Sequence, residues 1–264
     1  MAVEVKDNKG NINNIGLINV TFQNNVELTL EQKAEIKANF IEFTKAIIGN
    51  LTYKFIGNFK LKKALYEQEI LSELEKIETN KIVEPRLSIV GPTIENLKYN
   101  LDEEQIRKMY TKILAGELNE NMHSKILPAY IEIIKQLSKD DAVFLMELKN
   151  TKKLMLSVCN IRLRSRDTRG YTPITTIIVN NTQKNSNHIM LPKKIILDNL
   201  ERLQLIKIID TLSIPNDEKA VEKAYNYWAS FQGPDTNPNI EYYYDAGLLE
   251  ITDFGKQFID ICCS

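Results

Sequence analysis

At 264 residues the chain can bury a sizeable hydrophobic core, as one large domain or two small ones. Its 34 basic and 35 acidic residues leave a formal net charge of -1, which excludes a global field drawing it to nucleic acid or an anionic membrane. A hydrophobic content of 43% with 26% charged residues excludes the composition of a disordered chain.

The stretch from Met1 to Asn14 is polar and lacks the apolar centre of a signal peptide, and no segment reaches the roughly 18 apolar residues of a membrane span. Cys159, Cys262 and Cys263 cannot all pair within the chain, and the adjacent two are awkward to bridge. A reducing compartment, the cytoplasm, is the expected location.

In chain order, residues 1–27 form an Asn-rich arm whose apolar stretch Ile15, Leu17, Ile18, Val20 and Phe22 suits a strand or hairpin. Such an arm could pair with a second subunit through its edge and make a homo-oligomer. From Leu30 to about Asn50 the apolar residues Ile36, Phe40, Phe43 and Ile47 recur at helical spacing. The apolar stretch 51–59 is read as core. Leu61, Leu65, Ile70, Leu74 and Ile77 then predict a long amphipathic helix ending before Pro85. Gly91-Pro92 reads as a turn.

Asn100 followed by Glu103 resembles a capping box opening a helix over about 101–118, with Ile106, Met109, Ile113 and Leu114 on its apolar face. Pro128 suits a first helical position, and Ser138 with Asp141 offers another capping box, so two helices fill 129–150. Beyond Thr151 the period falls to two. Ile161, Leu163 and Ser165 alternate with arginines, and residues 174–179 are β-branched throughout, which predicts a strand pair. Pro192 opens a helix through Ile196, Leu200 and Leu203, a strand follows at 205–209, and residues 220–231 read as a helix. Gly247 to Ile251 suits a short strand, after which Thr252 caps a terminal helix bearing Phe254, Phe258, Ile261 and Cys262 on one face.

The expected fold class is therefore α+β and predominantly α-helical. A helical domain spans 28–150, and a smaller winged-helix-like α/β domain spans 151–264.

No catalytic constellation is legible. His123 and His188 have no metal-ligand spacing, Cys262 falls on an apolar helix face, and the usual phosphate-binding, dinucleotide-binding and serine-nucleophile motifs are absent. No catalytic, metal or cofactor-binding residue is assigned, no cofactor is expected, and the balance leans away from an enzyme. One local charge feature remains: residues 152–169 hold six basic side chains against Asp167 alone, a balance of +5. Alternation would align Arg162, Arg164 and Arg166 on one strand face, with Arg169 just beyond, as a site for phosphates or nucleic acid. The competing account is a solvated face whose arginines pair with nearby carboxylates; the neutrality of the chain favours it. Tyr242, Tyr243 and Tyr244, near Trp228 and Phe231, could stack bases or anchor a partner, but alternating tyrosines of an edge strand are the commoner arrangement.

Several blocks carry a resemblance. Pro85-Arg-Leu-Ser-Ile-Val-Gly-Pro-Thr-Ile-Glu-Asn-Leu-Lys-Tyr99, then Leu101-Asp-Glu103, Met109-Tyr110 and Ile113-Leu-Ala115, resemble the core of the bacterial abortive-infection alpha family. His123 to Pro128, Ile131 to Ser138, Asp141-Ala142 and Leu249-Glu-Ile-Thr-Asp-Phe-Gly-Lys-Gln-Phe258 resemble its later blocks. The resemblance covers roughly 80–145 and 195–260. It implies a role in defence against phage, in which an infected cell stops growing or dies before progeny are released. It implies no particular reaction and transfers no catalytic residues. With no chemistry visible, the expected action is binding of a phage or host component, a protein first of all. The alternatives are a nucleic-acid-binding module using Arg162, Arg164, Arg166 and Arg169, and a metal-dependent nuclease built from dispersed carboxylates.

Overall fold

A computed structural model describes residues 28–49, 59–165, 171–183, 186–210, 218–231 and 240–263. The N-terminal arm at 1–27 and positions 51–58 lie outside these residues. Helix α1 (Leu30–Gly49) opens on a capping box in which Thr29 and Gln32 exchange backbone-to-side-chain hydrogen bonds of 2.9 and 3.2 Å. Helix α2 (Phe59–Glu75) buries Tyr66, Ile70 and Leu74, one residue per turn.

Helix α3 (Leu87–Leu97) corrects the reading of Gly91-Pro92 as a turn, because both residues lie inside it. Proline normally pushes its predecessor out of the helical region by clashing with that residue's Cβ; Gly91 has none, so the helix continues. The expected capping box at Asn100 is also absent. Helix α4 (Glu104–Glu117) has Glu103 at its N-cap without a side-chain bond, and Asn100 instead donates to the Asn96 carbonyl at 2.9 Å, closing α3. A one-turn helix α5 (Glu120–His123) follows. Next comes α6 (Pro128–Gln136), with proline in its first turn as expected.

The Ser138–Asp141 capping box is present at the start of α7 (Lys139–Thr151), with bonds of 2.7 and 3.2 Å. Asn199 also donates to Asp141 at 2.9 Å, so the cap doubles as a tie to helix α8 (Lys194–Arg202).

Five antiparallel strands form one sheet: β1 (Met155–Ser165), β2 (Tyr171–Gln183), β3 (Ser186–Met190), β4 (Ile206–Ile209) and β5 (Ile240–Ile251), in the order β3-β2-β1-β5-β4. The predicted strand pair is β1 with β2. The expected helix, strand, insertion, strand, helix order is present as α8, β4, α9 (Glu218–Ala229), β5 and α10 (Asp253–Cys262), with β5 also paired to β1 along its length. β5 is therefore longer than the predicted short strand. β4 pairs only with its last residues, Leu248 to Ile251, so Tyr242, Tyr243 and Tyr244 are paired to β1 alone among the described residues.

Period-two alternation gives the sheet two buried faces. Leu156, Val158, Ile178 and Leu249 join the main core, which runs from Phe40 through α2–α8 to α10 and crosses residue 151 without a break. Cys159, Ile161, Ile177 and Val179 form a second cluster under Ala220, Val221 and Ala224 of α9. The tyrosine run splits accordingly. Tyr242 packs edge-on to Trp228 and Tyr244 lies 4.6 Å from Tyr225, both on the α9 side, whereas Tyr243 faces Tyr171 on the other.

The block from Leu249 to Phe258 has a clear structural meaning. Thr252 caps α10 by accepting from Gly255 N–H at 2.8 Å, while its hydroxyl donates to the Gln204 carbonyl at 2.6 Å. Gly255 lets the helix press onto the backbone just before β4: a Cβ there would lie 1.9 Å from the Leu205 carbonyl oxygen. Phe258 then meets Tyr130 edge-on at 5.5 Å, which fastens α10 to α6.

Candidate functional site

The arginine row is broken up by its surroundings. Arg162 projects on the main-core side of β1, beyond Asn160, and is only 13% exposed. Its Nε lies 3.1 Å from Asp245, a second guanidinium nitrogen lies 3.4 Å from Asp210, and its centre sits 4.7 Å above the Tyr171 ring. Burial works against the charge, but Asp245 and Asp210 outweigh it and hold the Arg162 pKa above its ordinary value. Asn160 donates to Asp210 at 3.0 Å and accepts from Thr176 at 2.8 Å, so Asp210 is itself held in place. The cleft beside this cluster, about 380 Å³, also carries Asp198 and Glu201 against Lys194. Arg164 is exposed on the same side of the strand, in register with Tyr171 and Glu241. Arg166 and Arg169 lie outside the described residues. Lys152 and Lys153 stand at the opposite end of β1, and the seven-residue step from Met155 to Arg162 alone spans about 23 Å. The basic block is thus two features, of which the Arg162 end is balanced by carboxylates.

A second open feature lies in the helical half. A groove of about 780 Å³ runs along α2 and α4 and reaches α7 and α10. Its lining includes the apolar Leu65, Met109 and Met146, and the two terminal cysteines border it. Its charged lining residues are internally satisfied. Arg107, 4% exposed, holds Glu69 through two bonds of 2.8 Å, and its third nitrogen donates to the Leu101 carbonyl at 2.5 Å. Glu73 accepts from Lys76 at 2.6 Å and Lys112 at 2.9 Å; burial raises its pKa, the two ammonium groups outweigh that, and it sits below the usual carboxylate range. Lys108 pairs with Glu104 one turn away at 2.5 Å. Gln68 and Ser72 stay exposed between these pairs.

His123 uses its Nδ1 on the Glu117 carbonyl at 2.8 Å and stabilises a loop. The three cysteines are free and buried. Among the described residues, no three His, Cys, Asp or Glu side chains converge as metal ligands would, and no helix is long and apolar enough to cross a membrane.

The groove apart from Cys263, the Thr252–Gly255 corner and the Arg86-to-Pro128 loops fall inside one stretch that a family model matches. The model is described as abortive infection alpha, and it covers residues 58–262. The chain belongs to the abortive infection alpha family. No curated protein and no solved structure matches it significantly. Membership associates the protein with abortive infection and, through that, with phage or host components. Positions before 58, including α1 and the arm, lie outside the matched stretch. Sequence reasoning missed the groove. Glu104 and Lys108 are legible as neighbours on a helix, but Glu69 and Arg107 stand 38 residues apart, and no local pattern announces that they meet.

Proposed function

We propose that this member of the abortive infection alpha family acts by binding a phage or host protein, and that the groove along α2 and α4 receives an amphipathic helix of that partner. One observation carries the reading: an open groove of about 780 Å³ lined by apolar side chains and by charged ones already paired with one another. α2 and α4 lie side by side, joined by the Glu69–Arg107 and Glu73–Lys112 pairs, and a partner helix would lie over them, as in other helix-in-groove complexes. The lining carries both charge signs, so a partner with apolar residues on one face and mixed charges at its margins complements it. Apart from Cys263 at its border, the groove's lining also lies within the matched stretch. The three buried, unpaired cysteines support a reducing, cytoplasmic setting. The nucleic-acid alternative at Arg162 is weaker, because Asp210 and Asp245 already balance that arginine.

The test changes exposed groove positions that the core does not need. Leu65→Glu with Ser72→Arg is expected to leave the thermal midpoint unchanged. In a sensitive host it should restore phage plaquing by roughly tenfold or more relative to the wild type, if the two charges weaken partner binding by about tenfold or more. A folded double variant that protects as well as the wild type across a broad phage panel would sink the groove as the binding surface.

A further inference from the structure

The fold separates Lys152 and Lys153 from Arg162 and brings them to two other lysines. Lys149 stands in the last turn of α7, Lys152 closes that helix, Lys153 follows, and Lys256 rises from the start of α10. All four line a cavity of about 270 Å³ whose apolar walls include Leu148, Ile251 and Ile259, and Asp260 is the one carboxylate among its lining residues. We propose that this cavity binds the phosphate group of a phosphate-bearing ligand.

Helix ends explain only part of the cluster. A helix C-terminus carries partial negative charge, and Lys149 answers it directly by donating to the Cys263 carbonyl at 3.1 Å, at the end of α10. Lys256 is the reverse case. It is the fourth residue of α10, at the positive end of that helix, where a cation is disfavoured by the dipole. With Lys152 it places positive charge at the cavity that an anion would relieve.

Lys152 is a second anomaly. Its φ of 55° places it in the left-handed region at the C-cap of α7, where glycine or asparagine is the ordinary choice. A lysine held there at conformational cost is accounted for if its ammonium group is used. An adjoining crevice of about 460 Å³ shares Lys256 and Asp260, carries Asp253 as well, and extends past Lys125 and Met122. Together the two spaces suit a phosphate seated among lysines with a larger, flatter moiety lying along α10, the chemistry of a nucleotide or of a nucleic-acid end. None of these four lysines borders the α2–α4 groove, so this site stands or falls separately from it.

The full-length protein is titrated at low ionic strength, about 0.05 M, with three probes: inorganic tripolyphosphate, ATP, and a fluorescent single-stranded oligonucleotide carrying a 5′-phosphate. At least one should bind. Lys152→Glu combined with Lys256→Glu, both at exposed positions, should weaken that binding by about tenfold or more, whereas Arg164→Glu should not. Binding of ATP without the oligonucleotide identifies a free nucleotide as the ligand, and the reverse identifies nucleic acid; each supports the site. Failure of all three probes, or binding that the double lysine variant leaves intact, overturns it.

Discussion

Arg86 and Glu117 form a closed ion pair at the foot of α3. Glu117 is fully buried, and Arg86 reaches it with two guanidinium bonds of 2.5 and 3.1 Å plus its own backbone N–H at 3.1 Å. The same guanidinium donates to the carbonyls of His123 and Ile126, so one side chain joins the entry of α3 to the end of α4 and the loop before α6. The hydrogen bonds that Arg86 donates to Glu117 raise the Arg86 pKa over the opposing effect of burial. Arg86→Met removes the guanidinium from a buried carboxylate, leaving it the backbone N–H of residue 86 and the nearby His123 ring, and should cost about 3–5 kcal/mol. Arg86→Lys should recover only part, because an ammonium group cannot reproduce the fork. Urea denaturation of the three proteins checks this; a loss of under about 1 kcal/mol in the methionine variant would place the pair among ordinary surface bridges.

Gly255 should be among the least replaceable residues of the chain. An alanine Cβ would sit 1.9 Å from the Leu205 carbonyl oxygen, which is backbone and cannot rotate away. Helix α10 would have to lift from β4, at a cost of about 3 kcal/mol or more. Thr252→Ala, which removes only the cap, should cost about 1 kcal/mol. Thermal denaturation that ranks the two in the opposite order would refute the close-approach explanation.

Tyr110 and Tyr130 have fully buried hydroxyls without a hydrogen-bond partner among the described residues. Burial pushes the Tyr130 hydroxyl up to about 12, with Cys262 nearby adding to the effect. Removing an unsatisfied hydroxyl while keeping the ring should be neutral or stabilising by up to about 1 kcal/mol. Tyr110→Phe and Tyr130→Phe are therefore expected to raise or preserve the urea midpoint. A loss of more than about 1 kcal/mol would mean that the hydroxyls are hydrogen-bonded in solution.

The cysteines predict an alkaline limit to stability. Burial pushes Cys159 and Cys263 up to about 12 and Cys262 well above its ordinary value, so the fold favours the neutral thiols. Stability from this source is complete below the unfolded thiol pKa of about 8.5 and falls as pH rises from there towards the folded values. The urea midpoint should accordingly drop between pH 8 and pH 10, roughly, and a thiol reagent at neutral pH should label the three cysteines only after denaturation. Rapid labelling of the native protein would contradict the burial.

Much of the fold is legible locally. The Ser138–Asp141 box, Pro128, the Thr252 cap and the period-two run at 155–165 declare themselves within four to eleven residues, because each depends on backbone geometry over one or two turns. The misreadings arose where one local signal had two outcomes. Gly-Pro marks a turn unless the glycine frees the proline to stay helical. Asn100 can cap the helix ahead or the one behind.

By itself the sequence determined the fold class, the helical and strand segments and the family, since all of these rest on short-range periodicity and on residues read in order. Only the tertiary structure decided what the charges do. It set Arg162 between Asp210 and Asp245, joined Glu69 to Arg107 across a groove, and gathered Lys149, Lys152, Lys153 and Lys256 around one cavity. Electrostatic interaction depends on distances of a few ångströms through space, and the partners that fix each charge's role stand tens of residues away along the chain.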